Sequence, residues 1–113
     1  NIVVALIALL HVYILVLEMF LWDKPAGRRA FGLTQEMATS TKALAANQGL
    51  YNGFLAAGLF WGLWLGSAGL AVKVFFLLCV LVAGVFGAAT ASRKILFIQA
   101  VPAAIGLALV LLA

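Results

Sequence analysis

Five polar side chains stand inside stretches of sequence that are otherwise apolar enough to cross a lipid bilayer. They are His11, Glu18, Asn47, Gln48 and Asn52. Charged and hydrogen-bonding groups are costly in hydrocarbon, so an ionisable residue in such a stretch is a candidate functional site. Glu18 is the carboxylate of this set. A carboxylate in an apolar helix suits a site that takes up a proton or binds a solute, while the amides and the imidazole would supply hydrogen bonds.

Helical periodicity places His11 and Glu18 on one face of the first apolar segment. The two residues are seven positions apart, and seven steps of ~100° return to within about 20° of the starting direction. The second apolar segment carries two adjacent polar strips, Gln48 with Asn52 and Asn47 with Tyr51.

The depth of each polar group follows from its distance to the end of its segment. If Trp22 and Ala43 mark one boundary, Glu18 lies level with Asn47 and Gln48. We therefore expect Glu18 to face these two amides. The deeper His11 is then expected to face Asn52 or Tyr51, and Gln99 in the last segment returns to the shallower level.

Composition identifies the class of protein. Of 113 residues, 67% are hydrophobic and only 9% are charged, whereas about a quarter of the residues of a soluble domain are charged. Each of four apolar runs is close to the ~20 residues that a membrane-spanning helix needs. These runs are residues 2–22, 43–65, 70–89 and 95–113. We predict an all-α integral membrane four-helix bundle that forms one domain over residues 1–113.

Residues 23–42 are predicted to form a cytoplasmic interfacial loop. Asp23 and Pro25 are expected to start a short turn that Gly32 ends, and Thr34 is expected to cap a new helix. Small residues at every fourth position of the next segment predict close approach of a neighbouring helix. They form two series, Gly49, Gly53, Ala57 and Gly58, Gly62, Gly66. Pro102 is expected to interrupt the last helix.

The distribution of charge predicts the orientation. Six of the seven basic residues lie between segments one and two or between three and four, and only Lys73 lies on the other side. Loops rich in Lys and Arg stay cytoplasmic, so both termini are expected outside the cytoplasm of an inner membrane. Because these loops are small and lack clustered aromatic residues, lipid headgroups are a better partner for them than nucleic acid. The first segment carries Glu18 and has no basic region before it, so it is expected to be a retained helix.

Other chemistries have less support. A metal site is not predicted, because one His and one Glu are too few ligands. Nucleophilic catalysis is not predicted either, because neither Ser nor Cys lies at the depth of His11, and Cys79 stands in another segment. Haem attachment lacks a C-x-x-C-H motif and a second histidine within one chain. The sequence does not indicate which cofactor, if any, the protein binds.

Three blocks of sequence resemble an uncharacterised family of small membrane proteins, domain of unknown function thirteen-oh-four. They are EMFLW (18–22), FGL (31–33) and KALAANQGLYNGFLAAG (42–58). The resemblance covers most of the chain. It implies a four-helix membrane protein and no established activity, so no residue role follows from it.

Three functions therefore remain open. The first is a protein that binds or transports a small solute or a proton through Glu18, as a homo-oligomer because four helices enclose little volume. The second is an accessory or scaffold subunit of a larger membrane complex, in which glycine faces serve packing. The third is a membrane-embedded enzyme for a lipophilic substrate, which rests on analogy of fold alone. We rank them in this order.

Overall fold

The computed structural model describes all 113 residues, and the chain is all-helical. Six α-helices form: α1 (Ile2–Met19), α2 (Pro25–Phe31), α3 (Gln35–Ser40), α4 (Lys42–Trp64), α5 (Leu70–Thr90) and α6 (Val101–Leu112). A 3₁₀ segment, Gly66–Gly69, precedes α5, and a π-helical segment, Leu96–Ala100, precedes α6. The all-α prediction is confirmed. The predicted segments correspond to α1, α4, α5 and the run through the π-helical segment into α6.

The predicted loop folds into two short helices. Pro25 occupies the first turn of α2, and Gly32, at φ 65°, ends it in the left-handed conformation that glycine adopts without strain. The Thr34 hydroxyl accepts a hydrogen bond from the Met37 N–H at 3.1 Å, as expected of a helix cap. The expected cap at Asp23 is wrong, because Lys24 precedes α2 and the Asp23 carboxylate binds Lys42 instead.

The interruption expected at Pro102 takes the form of the π-helical segment. Proline has no N–H to donate, and its ring crowds the carbonyl four residues earlier. A wider turn immediately before Pro102 relieves this crowding, and the N–H of Val101 donates to the carbonyl of Leu96, five residues back.

Two helical runs are long and apolar enough to cross a membrane, Ile2–Met19 and Gly66–Thr90. The apolar run Leu96–Leu112 is shorter. Helix α4 is also long enough to cross a membrane, but it is not apolar enough to be counted with these two runs. Its three amide side chains and its glycines lower the hydropathy of the run.

The chain forms two compact units, one of residues 1–9 and 55–113 and one of residues 10–54. Helices α1 and α4 contribute residues to both. The first unit has a core of aliphatic side chains, namely Val4, Ile7, Ala8, Leu59, Leu77, Val80, Ala103, Leu107 and Val110. The second unit contains the polar residues of α1 and α4 and the two short helices. All three acidic residues of the chain, Glu18, Asp23 and Glu36, belong to this second unit.

Candidate functional site

A carboxylate and an amide form the centre of the candidate site. The Nδ2 of Asn52 on α4 donates to Oε1 of Glu18 on α1 at 2.5 Å, and the same nitrogen lies 3.2 Å from the carbonyl oxygen of Gln48. Both Glu18 and Asn52 are partly buried. The pair therefore links two helices through a charge-assisted hydrogen bond.

Glycines on α4 allow α1 to come this close. A Cβ atom at Gly49 would lie 2.5 Å from Cγ of Met19 and 3.1 Å from Cβ of Glu18. A Cβ atom at Gly53 would lie 2.7 Å from a methyl group of Leu15. The first two members of the predicted small-residue series thus face α1, as expected of helices that pack through small residues.

The partner predicted for Glu18 is wrong by one helical turn. Asn47 and Gln48 are both exposed, and the carboxylate binds Asn52 instead. Side chains of a helix lean toward its N-terminus. On α1 this direction carries the carboxylate of Glu18 away from the end of the helix, so it passes the level of Gln48 and reaches that of Asn52.

The remaining predicted site residues lie in different surroundings. His11 on α1 is fully buried. Asn52, one of its two expected partners, makes its hydrogen bonds with Glu18 and Gln48. Tyr51, the other, is half exposed, and its ring lies 6.1 Å from that of Phe54. Gln99 lies in the π-helical segment of the other compact unit.

Two polar contacts tie the end of α1 to the start of α4. The indole Nε1 of Trp22 donates to the hydroxyl of Thr41 at 3.0 Å, and Lys42 pairs with Asp23 at 3.1 Å. The hydrogen bond from Lys42 holds the pKa of the Asp23 carboxyl below its usual value. These contacts join the two ends of the segment that connects α1 to α4.

The second carboxylate oxygen of Glu18 makes no hydrogen bond with the protein. Oε1 is occupied by the amide of Asn52, which leaves Oε2 able to carry a proton or to accept a hydrogen bond from a ligand. The amide orients the carboxylate without neutralising its charge. The arrangement suits the binding of a proton, a cation or a small hydrogen-bond donor.

Sequence reasoning missed a charged residue that is buried. Lys73 on α5 is only 7% exposed, and its ammonium donates to Oδ1 of Asn1 at 2.9 Å. The sequence pattern suggested only a marker of topology. A signal was present, because Lys73 is the only charged residue between Lys42 and Arg93, and an isolated charge in so long an apolar stretch has to be accommodated.

The fold and the site define a class: a small, highly apolar all-helical protein in which a hydrogen bond between a carboxylate and an amide links two of the long helices. The chain belongs to the family described as "Protein of unknown function (DUF1304)", which matches residues 5–111. The resemblance found in the sequence is thereby confirmed. A similar protein is "Uncharacterized protein YpaA" of Lactococcus lactis subsp. lactis (strain IL1403), 31% identical over 96 residues that cover 83% of this chain and 81% of the relative. No solved structure matches the chain.

Proposed function

We propose that this protein is a small multi-pass membrane protein in which Glu18 and Asn52 bind or transport a small solute or a proton. One observation carries the proposal: the carboxylate of Glu18, in a strongly apolar helix, has one oxygen held by Asn52 and the other unused by the protein. An ionisable group in such a helix is costly to maintain, and a binding function accounts for it.

Four crossings are proposed, by α1, α4, α5 and the run from Leu96 to Leu112. The two long apolar runs support this topology. Helix α4 would cross as well, because its Asn52 is the partner of Glu18, and a second chain would cover the exposed amides of Asn47 and Gln48. Both termini would lie outside the cytoplasm of an inner membrane, since six of seven basic residues fall on the opposite side.

The proposed mechanism assigns a role to each member of the pair. Glu18 takes the proton or the positively polarised atom of the solute on Oε2. Asn52 fixes the direction of the carboxylate and holds Oε1 whether or not the site is filled. Loss of the Glu18 charge on protonation would weaken the bond to Asn52 and loosen α1 from α4 at this level. Such a change would couple occupancy of the site to helix packing.

A homo-oligomer is proposed as the working form, because one chain of this size encloses little volume. Large aromatic side chains are exposed along α4, among them Tyr51, Phe54 and Trp61, and either lipid or a second chain would cover them. The same surface supports the second candidate function, an accessory subunit of a larger membrane complex. In that case the Glu18–Asn52 pair would serve only to hold α1 on α4.

Native mass spectrometry of protein extracted gently from its own membranes tests the proposal. Wild type is compared with Glu18→Gln and with the control Glu36→Gln, which changes an exposed glutamate. We expect wild type and the control to carry the same bound small molecule or ion and Glu18→Gln to have lost it. Identical spectra for all three, or association with a larger partner that does not depend on Glu18, would favour the accessory subunit.

A further inference from the structure

A buried lysine lies in a compact unit that has no acidic residue. Residues 1–9 and 55–113 include Lys73, Arg93 and Lys94 but neither Asp nor Glu. Lys73 is only 7% exposed, and it forms no ion pair. A buried charge without a counter-charge is expensive. Arg93 and Lys94 follow the opposite end of α5, about 25 Å from Lys73 along the helix axis.

The stem of Lys73 is held in a defined direction. A Cβ atom at Gly62 of α4 would lie 2.6 Å from Cγ of Lys73 and 3.2 Å from its backbone nitrogen. The side chain therefore crosses α4 where α4 has no side chain of its own. This packing carries the ammonium to the start of α1, where Asn1 is exposed.

The pair presents several hydrogen-bond donors at one place. The ammonium has three donors, and one of them is given to Oδ1 of Asn1. Because that oxygen faces the ammonium, the amide group of Asn1 keeps two N–H donors for another partner. Neither residue makes a further side-chain hydrogen bond. Two donor groups side by side, one of them charged and without a counter-charge, are complementary to an oxyanion.

We propose that Lys73 and Asn1 bind a phosphate group. Lysine acts as a compact point charge toward phosphate, and the two N–H donors that Asn1 keeps would hold the oxygens of the anion. The group belongs either to the headgroup of an anionic lipid or to a free phosphate. The site uses none of the residues of the proposed solute site, so each proposal stands or fails by itself.

Thermal unfolding in a neutral detergent tests the site. Wild type is titrated with inorganic phosphate at constant ionic strength and, separately, with phosphatidylglycerol. We expect one of the two to raise the unfolding midpoint. A response to inorganic phosphate assigns the site to a free anion, and a response to phosphatidylglycerol alone assigns it to a lipid headgroup. In Lys73→Met we expect roughly tenfold to hundredfold weaker binding, the usual effect of losing a charge-assisted hydrogen bond.

Two further variants control the result. Lys94→Met removes an exposed lysine beyond the other end of α5 and should respond like wild type. Asn1→Asp places a carboxylate beside Lys73 without changing the size of the side chain, so it should fold, show a higher midpoint without ligand and lose the response. The proposal is overturned if wild type responds to neither probe, or if Lys73→Met and Asn1→Asp respond as wild type does.

Discussion

Two charged side chains, the partly buried Glu18 and the buried Lys73, are each held by an asparagine and each pack against a glycine of α4, yet their surroundings differ. Glu18 binds Asn52 beside Gly49, and both members of this pair are partly buried. Lys73 binds Asn1 beside Gly62, with the lysine buried and the asparagine exposed. The acidic pair belongs to a unit that also has four basic residues, and the basic pair to a unit without acids.

This difference separates two ways of keeping a charge in an apolar chain. The hydrogen-bond partner of Glu18 is the amide of Asn52 on a second long helix. The Glu18–Asn52 pair therefore joins two helices and is sensitive to the distance between them. The hydrogen-bond partner of Lys73 is the amide of Asn1 at the start of α1, and its charge has no acidic neighbour within its unit. We infer that the first pair responds to changes in packing and that the second responds to the supply of anions.

Substitution of the glycines should break both pairs and have the largest effect. Leucine at Gly49 cannot fit beside Met19 and Glu18, and leucine at Gly62 cannot fit beside Lys73. Each should lower the free energy of unfolding by about 1–3 kcal/mol or more through overpacking, measured by denaturant titration in detergent. Ala57→Leu, at an exposed position of α4, is the control and should change little. Equal stability of all three variants would contradict the packing described.

Removal of the amide from the acidic pair should have an intermediate effect. Asn52→Leu leaves Oε1 of Glu18 without a donor and should cost about 0.6–2 kcal/mol, the span of values measured for hydrogen bonds between membrane helices. Asn47→Leu, on the exposed face of α4, should stay within about 0.5 kcal/mol of wild type. A double-mutant cycle with Glu18→Gln should show that the two residues are coupled. If Asn47→Leu and Asn52→Leu lowered the stability equally, Asn47 would be a partner of Glu18 after all, as the sequence predicted.

The ion pair of Asp23 and Lys42, in which the lysine is exposed and the aspartate partly exposed, should have a small, pH-dependent effect. Because Lys42 lowers the pKa of Asp23, its stabilisation is complete above the pKa of ~3.9 of an unfolded aspartate. It is lost as the pH falls through the lower folded pKa. Asp23→Asn should therefore be slightly less stable than wild type at neutral pH and equal to it in strong acid. A difference that grows toward low pH would show the opposite linkage.

The basic pair should tolerate loss of its charge without loss of stability. Lys73→Met keeps the apolar stem that crosses Gly62 and removes a buried ammonium, and replacement of buried ionic groups by apolar ones is often neutral or stabilising. Asn1 is exposed and can bind water instead. In detergent without phosphate we expect an unfolding free energy equal to or above that of wild type. A loss of more than about 2 kcal/mol would mean that the Lys73–Asn1 bond stabilises the fold.

Much of the fold could be predicted from solid apolar runs and from capping residues. The apolar runs predicted the long helices. Pro25, Gly32 and Thr34 predicted the start of α2, its end and the start of α3, because these residues act on the backbone locally. Pro102 marked the interruption of the last helix, although its π-helical form depends on how the turn relieves crowding.

The polar site was less predictable, because it depends on contacts between helices. Counting residues placed Glu18 beside Gln48, while the lean of helical side chains and the close approach at Gly49 place it beside Asn52. The Lys73–Asn1 pair joins residues 72 positions apart, and no local pattern indicates such a contact.

Labelling of the carboxyl groups with two carbodiimides tests the central claim most directly. These reagents add to protonated carboxylic acids, and mass spectrometry of peptides locates the adduct among Glu18, Asp23 and Glu36. With the protein in native membranes, we predict that dicyclohexylcarbodiimide, which partitions into lipid, labels Glu18, and that a water-soluble carbodiimide labels the exposed Glu36 more than Asp23, whose pKa is lowered by Lys42. Labelling of Glu18 by the water-soluble reagent to the same extent as Glu36 would contradict a protonatable carboxyl within the membrane.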